Sequence, residues 1–319
     1  MFPRTTILFV FVLSFYLTHP ATGESQAAWV PAADEGSVTI VYQNLDARDH
    51  INFQGRRSNL LGAVHAHTAI VDFEYGITDR LALNADLAYV ASRYKGPVPE
   101  GPSDDGLYHP AFQDLHVHIR YKLIKTPLVI TPFVGVTLPT HNYQALGHSA
   151  IGRHFRELLV GVAVGKQLGP RLPNLYVHGV YAQSIMKRFE GFNVNRANAE
   201  WEVGWAATER LTARFIGFGQ RSFGGFNLPV DLHSEEDHEI HDRVARANFI
   251  RLGVGGSFSV SKSFEINFDY ARTVWGRNIH AIGGVVMGMT WRFSRGFGLR
   301  KMSTRINHHP GTSLTETTF

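Results

Sequence analysis

The sequence contains no cysteine among its 319 residues, so it can hold neither a disulfide framework nor a lipid-modified cysteine at a processed N-terminus. Long hydrophobic runs are equally scarce. Beyond residue 23 no stretch of about 18 apolar residues occurs, and we therefore expect no transmembrane helix. The formal net charge is only +4, with no dense stripe of lysine and arginine, so we expect no nucleic-acid partner.

The one long apolar run lies at the start of the chain. "MFPR" supplies a basic residue, "TILFVFVLSFYL" an apolar segment of about a dozen residues, and "THPATGES" small and polar residues. This order is typical of a secretory signal peptide, which we predict to be cleaved after Gly23. A retained anchor helix is the alternative, but the run is short for a span that needs about 20 residues. We expect an exported protein.

The segment "RLALNADLAY" (80–89) alternates between apolar and polar side chains. This period of two is the pattern of a β-strand with two different faces. A soluble sandwich would bury the leucines, whereas a membrane barrel would turn them to lipid and Asp86 to the lumen. Similar alternation recurs along the chain, and the 44% hydrophobic residues and 31 glycines suit a transmembrane β-barrel.

The predicted connections between strands also alternate, in length. Short turns such as "GITDR" (76–80) and "AATER" (206–210) are separated by longer polar or Gly/Pro-rich segments. Outer-membrane barrels have short periplasmic turns and long extracellular loops.

We predict a signal peptide (1–23), a periplasmic segment (24–36), an all-β antiparallel transmembrane barrel (37–294) and a polar C-terminal tail (295–319). We expect about twelve strands, within two either way. The longer connections are predicted at 45–62, 93–111, 139–156, 187–196 and 221–246.

The polar faces of these strands hold too many charges for a dry core, because each unpaired buried charge would cost several kcal/mol. We therefore predict that this face lines the lumen and contacts solutes. Two histidines on one strand would stand roughly 7 Å apart on that wall, where they could bind anionic or phenolic solutes or simply fill the wall. The predicted lumen residues are Asp72, Glu74, Asn84, Asp86, His116, His118, Arg120, Glu200, Glu202, Glu265, Asp269 and Arg292.

Three further groups are candidates for chemistry. The loop 139–156 holds His148, Arg153, His154 and Arg156, which we place at the barrel mouth, where the arginines and His154 could meet lumen acids. His148 and Ser149 could form part of a hydrolase site, but adjacent side chains on an extended chain point apart. "HSEEDHEIHD" (233–242) offers His233, His238 and His241 as weak metal candidates; a solvated loop tip is the simpler interpretation. We expect no cofactor.

Three stretches carry a resemblance to a known family: "ITDRLALNADLAYVASRYKG", "DDGLYHPAFQDLHVHIRYKL" and "TPFVGVTLPTHNYQALGHSAIGRHFREL". They resemble the outer-membrane proteins named for the MetA pathway of phenol degradation, over about residues 62–293. The resemblance implies a Gram-negative outer-membrane barrel and passage of small, often aromatic, compounds. It supplies no catalytic residues. The chain departs from most bacterial barrels because Phe293 is followed by a polar tail.

Three functions follow as alternatives. The first is a passive channel or transporter for small solutes, including aromatic and hydrophobic ones. The second is a structural or surface-binding barrel with a closed lumen, and the third is an outer-membrane hydrolase. The expected partners are outer-membrane lipid, a small-molecule solute and the barrel-assembly machinery.

Overall fold

In the computed structural model, residues 28–97, 99, 101–228, 240–241 and 243–294 are described. The predicted signal peptide and the C-terminal tail lie outside these residues. Twelve strands form a closed antiparallel barrel, which confirms the predicted fold class. No helix in the described part of the chain is long and apolar enough to cross a membrane. The strands are β1 (Glu35–Ile51), β2 (Arg57–Gly76), β3 (Leu81–Lys95), β4 (His109–Tyr121), β5 (Val129–Pro139), β6 (Glu157–Gln167), β7 (Leu175–Met186), β8 (Arg196–Ala206), β9 (Leu211–Ser222), β10 (Asn248–Ser261), β11 (Phe264–Arg277) and β12 (Ile279–Ser294).

Each strand pairs with its neighbours in the sequence, and β1 pairs with β12 to close the barrel. Thr39 on β1 lies opposite Thr290 on β12, and their hydroxyl groups are 3.0 Å apart in the interior. Closure gives every strand two partners, so no edge with unpaired backbone groups is left along the sheet.

The alternating pattern of the sequence sorts the side chains between the two faces of the barrel. On β2, the outward side chain of Val71 is 51% exposed while the next residue, Asp72, is 1% exposed in the interior. Outward aromatic residues lie at two levels, with Tyr121, Trp205 and Trp291 near one end and Tyr89 and Phe112 near the other. Such belts mark the two interfaces of a membrane-spanning barrel.

The two ends of the barrel differ in their connections. The short-turn end carries the connections 77–80, 122–128, 168–174, 207–210 and 262–263. The opposite, long-loop end carries the connections 96–108, 140–156, 187–195 and 223–247, together with two short ones, 52–56 and Asn278.

One predicted long connection is wrong. The pattern predicts a loop at 45–62, but β1 continues to Ile51 and β2 begins at Arg57. In this region the outward face of the hairpin carries polar side chains, such as the paired residues Asp46 and His65. The hairpin thus lacks the apolar alternation by which strands are found in a sequence.

Candidate functional site

The interior of the barrel is lined by charged and polar side chains. The structure places all twelve sequence-predicted lumen residues on the inner face, and most of them are buried there. They form two groups on different parts of the wall. The first group lies on β2–β4 and comprises Asp72, Glu74, Asn84, Asp86, His116, His118 and Arg120; the second lies on β8, β11 and β12 and comprises Glu200, Glu202, Glu265, Asp269 and Arg292.

Strand register brings the first group together. Asp72 lies opposite Asp86, which lies opposite His116. The next inward-facing row on the same strands pairs Glu74 with Asn84 and Asn84 with His118. His116 Nδ1 lies 2.7 Å from Asp86 Oδ1. The Arg120 guanidinium forms an ion pair with Glu74, and both side chains are fully buried. Most of the ionisable side chains of this wall therefore contact one another inside the barrel rather than face open space.

His118 occupies a close-fitting position in this wall. Its side chain is 1% exposed, and its ring lies edge-on to Phe133 with the centroids 6.1 Å apart. Gly135 lies opposite it on β5. A Cβ atom at Gly135 would overlap the His118 imidazole and lie 2.8 Å from the carbonyl oxygen of Val117. The imidazole can occupy this position only because residue 135 has no side chain.

The second wall contains charged residues that the sequence reasoning did not single out. Arg214 on β9 donates from Nε and Nη2 to the two carboxylate oxygens of Asp269, at 2.7 and 2.6 Å. Tyr176 donates its hydroxyl to Glu202, and Arg292 donates to Glu265 at 3.3 Å. The sequence contained a signal for Arg214, because it alternates with the apolar residues of its strand in "LTARFIGF".

Part of the lumen beside this second wall remains accessible. The inward side chains of Tyr176, His178 and Glu200, on β7 and β8, are half-buried, whereas Glu74 and Arg120 on β2 and β4 are fully buried. We call the space beside these three residues the β7–β8 lane. A phenol, an imidazole and a carboxylate line this lane.

The segment that precedes β1 enters the barrel at the short-turn end. Thr131 Oγ1 donates to the carbonyl of Ala28 at 2.5 Å, and Lys122 Nζ donates to the carbonyl of Val30 at 3.1 Å. The Trp29 ring lies 5.9 Å, between centroids, from both Tyr176 and His178. Trp29 therefore stands at the short-turn end of the β7–β8 lane and narrows it.

The connection 140–156 folds into the other end of the lumen. Tyr143, Ala145 and Ile151 are buried in one cluster with inward side chains of β1, β2, β3 and β12. Tyr143 donates its hydroxyl to Asp114 at 2.6 Å and accepts the backbone N–H of His154 at 2.9 Å. Burial and the neighbouring Asp114 carboxylate raise the pKa of Tyr143 well above its usual value. The loop is thus fixed to the wall by both apolar and polar contacts.

The predicted contacts of this loop with lumen acids are wrong. Arg153 donates from Nε and Nη2 to the carbonyl of Arg243, at 3.0 and 2.6 Å, and His154 contacts the carbonyl of His141. Arg156 is exposed. Burial, with Arg196 nearby, lowers the pKa of Arg153 to about 9. The nearby acid, Glu157, is bonded instead by Arg196, because these two residues lie on strands that flank β7.

The geometry around Ser149 does not support nucleophilic catalysis. Ser149 is 0% exposed and donates its hydroxyl to Asp104 at 2.7 Å, while the ring of His148 packs on Tyr94 and His280. A nucleophilic serine needs a base within hydrogen-bond reach and access to substrate, and the Ser149 side chain has no such access.

The structure describes one of the three weak metal candidates. His233 and His238 lie outside the described residues, and His241 is buried. Within the described ranges, no group of three histidine, cysteine or acidic side chains is placed to hold a metal ion.

No protein-family model matches the sequence, and no curated protein matches it. Solved structures do match the fold. The crystal structure of the COG4313 outer membrane channel from Pseudomonas putida F1 superposes with a TM-score of 0.65 at 13% identity, covering 86% of this chain and 100% of that one. The chain shares the fold of an outer-membrane channel. At this identity the match describes the fold and names no solute.

Two further matches have lower scores. The NanC porin has a TM-score of 0.46 at 8% identity, over 79% of this chain and 98% of that one. The Pseudomonas putida toluene transporter TodX has a TM-score of 0.41 at 8% identity, over 83% and 90% of the two chains.

Proposed function

We propose that this protein is a passive channel for small solutes in the outer membrane of a Gram-negative bacterium. The observation that carries the proposal is the accessible β7–β8 lane inside a closed barrel with an apolar outer face. A barrel of about eight strands has room only for side chains, and one of sixteen or more encloses a wide aqueous channel. Twelve strands lie between these cases and suit a narrow path.

The remaining parts of the proposal follow from the sequence. The predicted signal peptide would direct export, and the barrel-assembly machinery would insert the chain among outer-membrane lipids. The resemblance to the family named for the MetA pathway of phenol degradation supports small aromatic and hydrophobic compounds as solutes. The occluded Ser149 favours a protein that is not an enzyme.

A closed barrel that binds at the surface is the second candidate, and a specific observation favours it. Both the segment containing Trp29 and the loop containing Tyr143 lie inside the lumen. Together they fill part of the lumen from its two ends, as suits a barrel that does not conduct.

Permeation of purified protein separates these candidates. We expect conductance in planar bilayers from the wild type, and a larger conductance when Trp29→Ala widens the short-turn end of the lane. Trp201→Ala is the matched control, because Trp201 packs on Phe215 on the outer face. Swelling of liposomes in phenol, fatty acid or sugar solutions then ranks the solutes.

The result that would overturn the channel is a silent bilayer from well-folded wild type, from Trp29→Ala and from a variant with residues 141–152 replaced by a short Gly/Ser linker. That outcome would leave the closed, surface-binding barrel. A conductance that rises equally in Trp29→Ala and Trp201→Ala would instead remove the β7–β8 lane as the path.

A further inference from the structure

A cavity of about 400 Å³ lies at the long-loop end, between the connection 140–156 and Arg243. Its lining combines the apolar side chain of Leu146, the rings of Tyr143 and His154, the amides of Asn142 and Gln144, and one guanidinium. The described residues that line it include no carboxylate. The cavity thus offers an apolar surface, several hydrogen-bond donors and a single fixed positive charge.

The position of that charge is set by its surroundings. The Arg243 guanidinium lies 4.1 Å from the ring centroid of Phe189 and 4.9 Å from that of Phe155. Its Nε donates to the carbonyl of Arg153 at 3.0 Å, and its Nη2 lies 3.4 Å from the carbonyl of His154. Two carbonyl contacts leave further N–H groups of the five that a guanidinium carries. Stacking and hydrogen bonding therefore fix the group before any ligand arrives.

The positive charge at this site has no carboxylate ion-pair partner among the described residues, which leave out 229–239 and 242. Arg153 and Arg243 each donate to the other's backbone carbonyl, so two guanidinium groups lie together against neutral acceptors. Neither forms an ion pair with a carboxylate of the described residues. Two acids near this loop within the described ranges are engaged elsewhere, since Glu157 is bonded by Arg196 and Asp114 accepts the Tyr143 hydroxyl. Glu190 contributes only a longer-range attraction to Arg243.

We propose that this cavity is a binding site for a small organic carboxylate, with the anionic group on Arg243 and the apolar body against Leu146 and Tyr143. Arginine is suited to this task because its planar N–H groups match the two oxygens of a carboxylate. The site would lie at the mouth through which solutes reach the lumen. The inference therefore rests on the proposed channel function and specifies small organic carboxylates as solutes of that channel.

The test is isothermal titration of the folded, full-length protein in detergent with two pairs of probes. Hexanoate is compared with hexanamide, and benzoate with benzamide, so that charge changes while the shape is retained. We expect each acid to bind at least about tenfold more tightly than its amide, as a hydrogen-bonded ion pair requires.

Three variants locate the site. Arg243→Gln should weaken binding of both acids by about tenfold or more, and Arg243→Lys should retain part of it. Arg246→Gln is the control, since it removes the same charge from an exposed side chain three residues away. Heat-modifiable migration on gels confirms that each variant folds.

Equal affinity for acids and amides would overturn the inference, as would equal losses in Arg243→Gln and Arg246→Gln, or no binding of either acid to folded wild type. Titration requires no permeation, so the two proposals can fail separately. A silent bilayer with intact acid binding would remove the channel alone, and a conducting protein without acid binding would remove the carboxylate site alone.

Discussion

Arg214 and Asp269 meet across a strand that lies between them. Both are paired in register with Gly255 on β10, and two hydrogen bonds of 2.7 and 2.6 Å join them above it. A Cβ atom at Gly255 would overlap a carboxylate oxygen of Asp269. The missing side chain at residue 255 therefore allows β9 and β11 to be linked inside the barrel.

Removing one member of this pair should destabilise the barrel strongly. We expect Arg214→Met to lower the free energy of unfolding by roughly 3–5 kcal/mol, because Asp269 is left buried and unpaired. The double variant Arg214→Met/Asp269→Leu should recover most of this loss. Urea unfolding in lipid vesicles measures both values. Asp269→Leu alone completes the cycle, and strictly additive effects of the two single changes would show that the pair contributes no coupling.

The position of His118 predicts a difference between two glycines. Gly135→Ala should cost roughly 1–3 kcal/mol, because the added methyl group forces the buried imidazole and nearby backbone to shift. Gly179→Ala is the matched control, since the nearest atom to its Cβ would lie at 3.5 Å, an ordinary contact. The comparison uses the same unfolding measurement. Similar costs for the two variants would contradict the close-fitting position of His118.

The inside–outside assignment predicts how arginine substitutions depend on their position. Val71→Arg should cost roughly 2–4 kcal/mol, because Val71 faces outward between the two aromatic levels and its replacement would enter hydrocarbon. Asn44→Arg, on β1 beyond the outward aromatic Tyr42, should cost at most about 1 kcal/mol. Folding yield into vesicles and urea midpoints give the two values. If Val71→Arg folds as well as Asn44→Arg, the outer face is not in lipid.

The Tyr143–Asp114 contact predicts a change of stability at alkaline pH. Because the pKa of Tyr143 is raised in the folded protein, the folded state keeps a proton that the unfolded chain loses above about pH 10. The contribution of Tyr143 is complete below that pH and is lost as the pH rises through the folded value. Urea midpoints at about pH 9 and about pH 11 should therefore fall more in wild type than in Tyr143→Phe. If the urea midpoint falls equally between these two pH values in wild type and in Tyr143→Phe, the Tyr143 hydroxyl is exposed to water.

The sequence indicated the barrel because alternation is a local property. In "RLALNADLAY" each side chain is assigned to a face by its parity alone, and Asp86 and Asn84 accordingly face inward. The same reasoning placed Glu265 and Asp269 inside, since hydrogen-bonded strands have no other way to sort apolar and charged neighbours. It failed for the far part of the β1–β2 hairpin, where polar side chains such as Asp46 and His65 occupy the outward face.

The pairings inside the barrel could not be obtained in this way. Arg214 meets Asp269 because the register aligns both with Gly255, and Arg153 meets Arg243 because two loops distant in sequence fold over the same mouth. The alternation along a strand assigns each side chain to a face. It does not say which residue of the neighbouring strand lies opposite, nor where a loop without regular structure packs. The sequence alone thus assigned strand residues to the inner or the outer face. Only the tertiary structure, through register and loop packing, decided which charges neutralise one another and which remain available to a solute.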